Sequence, residues 1–101
     1  MADTVQRRFF RRIADGGAVR FRYVEGGGEV GGWLLDIGAG GLAFETHRPV
    51  APGSLIEARV SPADGSGRDL VAVLEVLRSD RLEARRHRVA GRFHWRLSRA
   101  A

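Results

Sequence analysis

Two clusters of residues carry most of the chemical potential of this sequence. The first is Arg7-Arg8-Phe9-Phe10-Arg11-Arg12, four guanidinium groups within six residues. A guanidinium is a flat fork of N–H donors. It grips phosphate oxygens through two parallel charge-assisted bonds and matches the O6 and N7 acceptors on the outer edge of guanine. Its face stacks on aromatic bases. Arg8 and Arg12 are four residues apart, so in a segment wrapped round a ligand they reach different atoms of it. A solvated basic tail has the same composition. Phe9 and Phe10 argue against that reading, because free tails rarely carry adjacent aromatics; one of the two rings is expected to pack on the domain and aim the arginines. The second cluster is Asp36-Ile37-Gly38-Ala39-Gly40-Gly41. An aspartate at a strand end can accept from the N1 and N2 hydrogens of guanine, and glycines let the backbone approach a ligand and offer its N–H groups. Taken alone, the same residues also make a tight strand-to-strand turn that needs positive φ.

The elements that must position these clusters are short strands. Ala18 to Val24 alternates, with Val19, Phe21 and Tyr23 on one face and Arg20 and Arg22 on the other, a half-buried strand. Glu25 to Gly28 is a hairpin connection, and Glu29 to Asp36 is a second strand with Trp33 and Leu35 sharing a face. Leu42, Phe44 and Thr46 restart the alternation as a third strand. After the Pro52-Gly53 turn, Leu55 to Val60 is the fourth. Asp64-Gly65 is the expected apex of the next turn. Leu70 to Arg78 forms the fifth strand, Ser79 to Glu83 turns, and Arg86 to Arg96 forms the sixth with Val89, Gly91 and Phe93 in phase. No stretch shows helical periodicity. The pattern predicts an all-β fold, a small six-stranded antiparallel β-barrel, with residues 15–101 as barrel and residues 1–14 as a flexible arginine-rich arm.

Composition narrows the function classes. The chain has 101 residues, one domain with one modest core. Its net charge is +5, and all 17 basic residues are arginine, which points to an anionic partner. There is no cysteine, so disulfides and thiolate metal sites are excluded. His47, His87 and His94 form no metal-ligand spacing, and the glycine runs lack the Lys-Ser/Thr of a phosphate loop. The serines lie outside any nucleophile elbow. Trp33 and Trp95 are expected as core or barrel-end plugs, and Arg81 to Arg86 as a solvated hairpin, with a secondary phosphate contact as the alternative. No apolar run reaches the roughly 20 residues that span a bilayer, and the Met1 to Arg8 start has no apolar h-region. A cytoplasmic non-enzyme with no membrane insertion is expected.

The two clusters together resemble the signatures of the PilZ domain, a family of six-stranded bacterial barrels that bind cyclic di-GMP. The family carries RxxxR in an N-terminal segment and [D/N]xSxxG at the end of an early strand. Arg8 to Arg12 supplies the first, with Ile13 in the usual context; Arg7 to Arg11 is a second match one residue out of frame. Asp36, Gly38 and Gly41 occupy the [D/N], Ser and Gly positions of the second, and Leu42-Ala43-Phe44 and Val89-Ala90-Gly91-Arg92-Phe93 continue in the family's manner. The resemblance covers nearly the whole chain. It implies a ligand, cyclic di-GMP, held by Arg7, Arg8, Arg11, Arg12, Asp36, Gly38, Gly40 and Gly41, and no cofactor.

Gly38 departs from the pattern, since it replaces the family serine. Losing one hydrogen bond to a charged ligand costs about 1.5–3 kcal/mol, roughly one to two powers of ten in affinity. Arg7, directly before the RxxxR pair, resembles the arrangement that holds a stacked ligand dimer. The resemblance implies a stand-alone receptor, monomer or weak dimer, whose arm closes on the barrel when ligand binds and whose new surface regulates an effector protein in motility, pili or exopolysaccharide export. The alternative is a degenerate module that has lost nucleotide and works by protein–protein contact. A third possibility, a barrel binding single-stranded nucleic acid, needs aromatics exposed beside a basic groove. The strand aromatics here read as inward-facing, so no DNA partner is expected.

Overall fold

Alternation becomes burial in the first strand. In the computed structural model, which describes residues 17–62 and 68–100, β1 (Gly17–Tyr23) buries Val19 and Phe21 and turns Arg20 and Arg22 to solvent. The chain then reverses through Gly26 and Gly27, at φ 130 and 111, into β2 (Val30–Ile37). Those φ values are open to glycine and strained for other residues. β3 (Gly41–Thr46) places Leu42, Phe44 and Thr46 inward. β4 (Leu55–Pro62), β5 (Arg68–Glu83) and β6 (Arg86–Ala100) complete the sheet. All pairings are antiparallel, in the order β1-β2-β3-β6-β5-β4, and β1 pairs with β4 to close a barrel. Closure leaves no open sheet edge. The all-β six-stranded barrel expected from the sequence is the one observed.

The barrel interior is filled by Val19, Phe21, Phe44, Ile56, Leu74, Val76 and Val89, all nearly inaccessible. Phe21 and Phe44 meet with ring centroids 5.0 Å apart at a 48° tilt, a favourable aromatic geometry. At one end Val50 is tucked in, its N–H donating to Ser79 Oγ.

Two expectations fail. Ser79 to Glu83 is strand, with the turn at Ala84-Arg85, and Glu83 pairs with Arg86. A straight 16-residue strand would run about 50 Å, well beyond the 36 Å longest axis of the molecule. β5 and β6 therefore bend together through irregularities at Val73/Leu74, Val76/Arg78 and Arg81/Glu83. Trp33 is no plug: it stands 66% exposed, and Leu34 points inward instead. The register explains the phase: Gly32 and Leu34 pair with the inward Thr46 and Phe44 of β3, so Trp33, opposite the outward Glu45, faces out. The Trp95 side chain, the Asp64-Gly65 apex and the arm over residues 1–14 lie outside the described residues. No helix among the described residues is long and apolar enough to cross a membrane.

The outer surface carries cross-strand ion pairs, among them Arg22–Glu57, Arg92–Glu75 and a two-bond fork from Arg86 to Glu45. The Arg86 hydrogen bonds hold the Glu45 carboxyl below its ordinary 4.5 against the opposing effect of burial, and the charges of Arg86 and Arg88 add to the lowering. A carboxyl depressed in the folded state stabilises above its unfolded value, and that contribution is lost as pH falls through the folded value. Glu45→Gln is accordingly expected to lower the melting temperature modestly at neutral pH. The difference from the parent should disappear in acid well below 4.5; a pH-independent difference would refute the ion-pair origin.

Candidate functional site

The corner between β2 and β3 gathers the second sequence cluster. β2 pairs regularly with β3 up to Leu34↔Phe44, then slips so that Asp36 faces Ala43 and Ile37 faces Leu42. The extra residue, Leu35, makes a bulge, a device that re-aims neighbouring side chains. It sets Asp36 beside Ala43, which lies on the outward phase of β3 between buried Leu42 and Phe44. The corner is short and tied at two points. The Gly38 N–H donates to the Gly41 carbonyl (3.0 Å), and the Phe93 N–H on β6 donates to the Gly40 carbonyl (2.8 Å).

The corner glycines differ in what they do. None of Gly38, Gly40 and Gly41 has positive φ, so the conformational need expected of this turn is not what keeps them glycine. Gly41 is required by contact. A methyl group there would run into the Gly91 carbonyl oxygen, with Arg92 Cα only 2.9 Å away, because β3 and β6 approach closely at Gly41↔Arg92 and Leu42↔Gly91. Gly41→Ala is expected to destabilise the fold by about 1–3 kcal/mol, the usual cost of overpacking against rigid backbone. Denaturant midpoints would check it, and an unchanged midpoint would show that β3 and β6 can part freely. A Cβ on Gly38 or Gly40 meets nothing within 4 Å. Both positions are open to whatever occupies the corner.

Two adjoining hollows lie over it, of about 510 Å³ and about 280 Å³, sharing Asp36, Ala43 and Ala90. Arg78, Asp80 and Arg88 wall the larger one. β5–β6 register brings them there, with Arg78 opposite Ala90 and Asp80 opposite Arg88. Arg78 is engaged with Asp80 at 3.0 Å, whereas Arg88 has no ion pair among the described residues. Asp36 Oδ1 is buried and accepts no hydrogen bond, the only such side-chain atom among the described residues. An orphaned buried acceptor costs about 1–3 kcal/mol, and carboxylates seldom tolerate it unless another partner satisfies them. The corner thus offers an unsatisfied acceptor in the same hollow as Arg88, a guanidinium without an ion pair among the described residues, with small Ala43 and Ala90 in the lining.

Of the eight residues expected at the site, the structure brings together Asp36, Gly38, Gly40 and Gly41; Arg7, Arg8, Arg11 and Arg12 lie outside the described residues. Arg78, Asp80 and Arg88 are additions: the sequence marks Arg78 to Arg88 as a second arginine group interleaved with acids, but nothing in its spacing assigns them to the site. Arg81, Arg85 and Arg86 extend beyond the corner and wall neither hollow. Among the described residues no cluster of histidine and acidic side chains is placed to hold a metal ion.

A family model described as the PilZ domain matches residues 6–101. No curated protein and no solved structure matches the chain.

Proposed function

We propose that this chain, which belongs to the PilZ family of cyclic di-GMP receptors, binds cyclic di-GMP at the β2–β3 corner and passes the signal to an effector protein. The observation that carries the reading is Asp36 Oδ1, buried and without a partner in a hollow that also holds Arg88. A guanine edge satisfies it: the N1 and N2 hydrogens donate to the carboxylate. Arg88, with Arg78 if it releases Asp80, meets the phosphates through charge-assisted bonds. The members of this family are nucleotide-binding receptors rather than enzymes, and every group described at the corner suits recognition.

The arginine segment completes the site. It joins the barrel at Gly17, where an added Cβ would lie 3.2 Å from Leu34 Cβ, so the chain emerges two residues from Asp36. Arg12 is five residues upstream, and five extended residues reach at most about 17 Å. Arg8 and Arg12 then close over the ligand as a flap, with Arg7 and Arg11 adding further guanidinium contacts to it, and the closed arm makes the surface an effector reads. Residues 1–14 act as the arm and 15–101 as the barrel. Gly38, which lacks the hydroxyl of the family motif, favours a second reading in which nucleotide binding has been lost and the module works through protein contact alone.

Gly38→Ser separates the two. The position is open and unstrained, so the substitution leaves the fold intact and returns one donor to the site. Affinity for cyclic di-GMP is expected to tighten roughly 10–100-fold, the worth of one hydrogen bond to a charged group. Calorimetry on both proteins reads it. No nucleotide binding by either protein would favour the contact-only module.

A further inference from the structure

Trp33 stands on the outward face of β2, 66% exposed, and is the one exposed phenylalanine, tyrosine or tryptophan ring among the described residues. It borders a groove of about 560 Å³ whose lining includes Gly31, Arg20, Glu45, Arg85 and Arg86. Burying an indole contributes about 1.5–3 kcal/mol, and the barrel leaves this one in water. The charges around it do not balance. Arg86 is committed to Glu45 and Glu83, while Arg20 and Arg85 have no ion pair among the described residues. The groove is therefore an aromatic platform in a cationic frame. It lies on the same outer face as the Asp36 corner, because Glu45 at the groove and Ala43 at the corner are successive outward residues of β3.

We propose that this groove is the docking surface for an acidic segment of a partner protein, with a proline or aliphatic side chain on the Trp33 indole and carboxylates on Arg20 and Arg85. Tryptophan and arginine are the residues that most often dominate the binding energy of protein interfaces. The closed barrel offers no strand edge for β-addition, so the partner engages side chains. Single-stranded nucleic acid fits less well, since it stacks successive bases on several aromatic rings, and this surface has one. The inference rests on the receptor reading only for the regulatory purpose of the contact; the groove exists with or without nucleotide.

The test is fluorescence anisotropy with a short dye-labelled peptide of alternating glutamate and proline. Its glutamine–proline counterpart and an oligothymidylate of similar length serve as comparisons. Saturable binding of the acidic peptide in the range of tens to hundreds of micromolar is expected, at least tenfold weaker for the glutamine peptide and for the Trp33→Ala and Arg85→Glu variants. Both positions are exposed, so circular dichroism should show the variants folded. No saturable binding, equal binding by Trp33→Ala, or tighter binding of the oligothymidylate at physiological salt overturns the proposal. A parallel titration with cyclic di-GMP keeps the two readings apart. Peptide binding without nucleotide binding removes the receptor reading and keeps the surface; nucleotide binding without peptide binding does the reverse.

Discussion

Asp36→Ala is expected to weaken cyclic di-GMP binding by a hundredfold or more while leaving the melting temperature unchanged or raising it. The two halves of this result have one cause. In the free protein no protein group donates to the buried Oδ1 oxygen, so the carboxylate contributes little to the fold. In the complex the same carboxylate accepts two guanine hydrogens, and losing hydrogen bonds to a charged acceptor costs about 1.5–3 kcal/mol each, or one to two powers of ten in affinity. Residues kept for binding at the expense of the fold are a recurrent mark of functional sites. Calorimetry and thermal melts on one preparation decide the matter. A variant that melts well below the parent and binds normally would make Asp36 a structural residue and remove the basis of the proposed site.

Phe44→Ala is expected to have the largest effect on stability. Phe44 is fully buried, packs against Phe21 at the centre of the barrel, and sits in the strand that links the candidate site to the core. Truncating a buried phenylalanine costs about 3–5 kcal/mol, including the cavity left behind. For a domain of this size that lowers the melting temperature by about 15–30 °C, and it approaches the whole stability of a small domain. Phe44→Leu, which keeps most of the volume, should cost well under half as much. Loss of binding by Phe44→Ala would follow from unfolding, and saturating ligand would then restore folded protein by mass action. That restoration separates it from Asp36→Ala, where ligand has no site to stabilise. A melting temperature within a few degrees of the parent would show that the Phe21–Phe44 pair is not the centre of the core.

The barrel was legible because its strands bury one face each. Val19 and Phe21 alternate with Arg20 and Arg22, and a period of two with a polar partner has one reading. β2 was the exception: Gly31 and Gly32 carry no side chain to mark a phase, and the bulge at Leu35 breaks the period, so Trp33 was assigned inward and proved exposed. The turn placed at Ser79 to Glu83 failed for a related reason. That stretch is polar and partly or fully exposed, as a turn would be, yet it is strand because β6 pairs with it up to Glu83↔Arg86. Asp36 and the corner glycines were found because a motif marks them. Arg78 and Arg88 stood out in the sequence only as the ends of a second arginine group interleaved with acids; the β3–β6 and β5–β6 registers are what bring them to the hollow that Asp36 lines. The exposed Trp33 also alters how the surface reads, because the inward aromatics that weighed against a solvent-facing platform do not include it.

The claim that this PilZ chain is a nucleotide receptor is tested most directly by calorimetric titration of the protein and its Arg12→Ala variant with cyclic di-GMP, with linear GpG and cyclic di-AMP as comparisons. The account predicts saturable binding of cyclic di-GMP at low micromolar concentration or tighter, at least tenfold weaker binding of the other two nucleotides, and loss of binding in the variant. No heat up to about a hundred micromolar ligand, or equal affinity in Arg12→Ala, would contradict it.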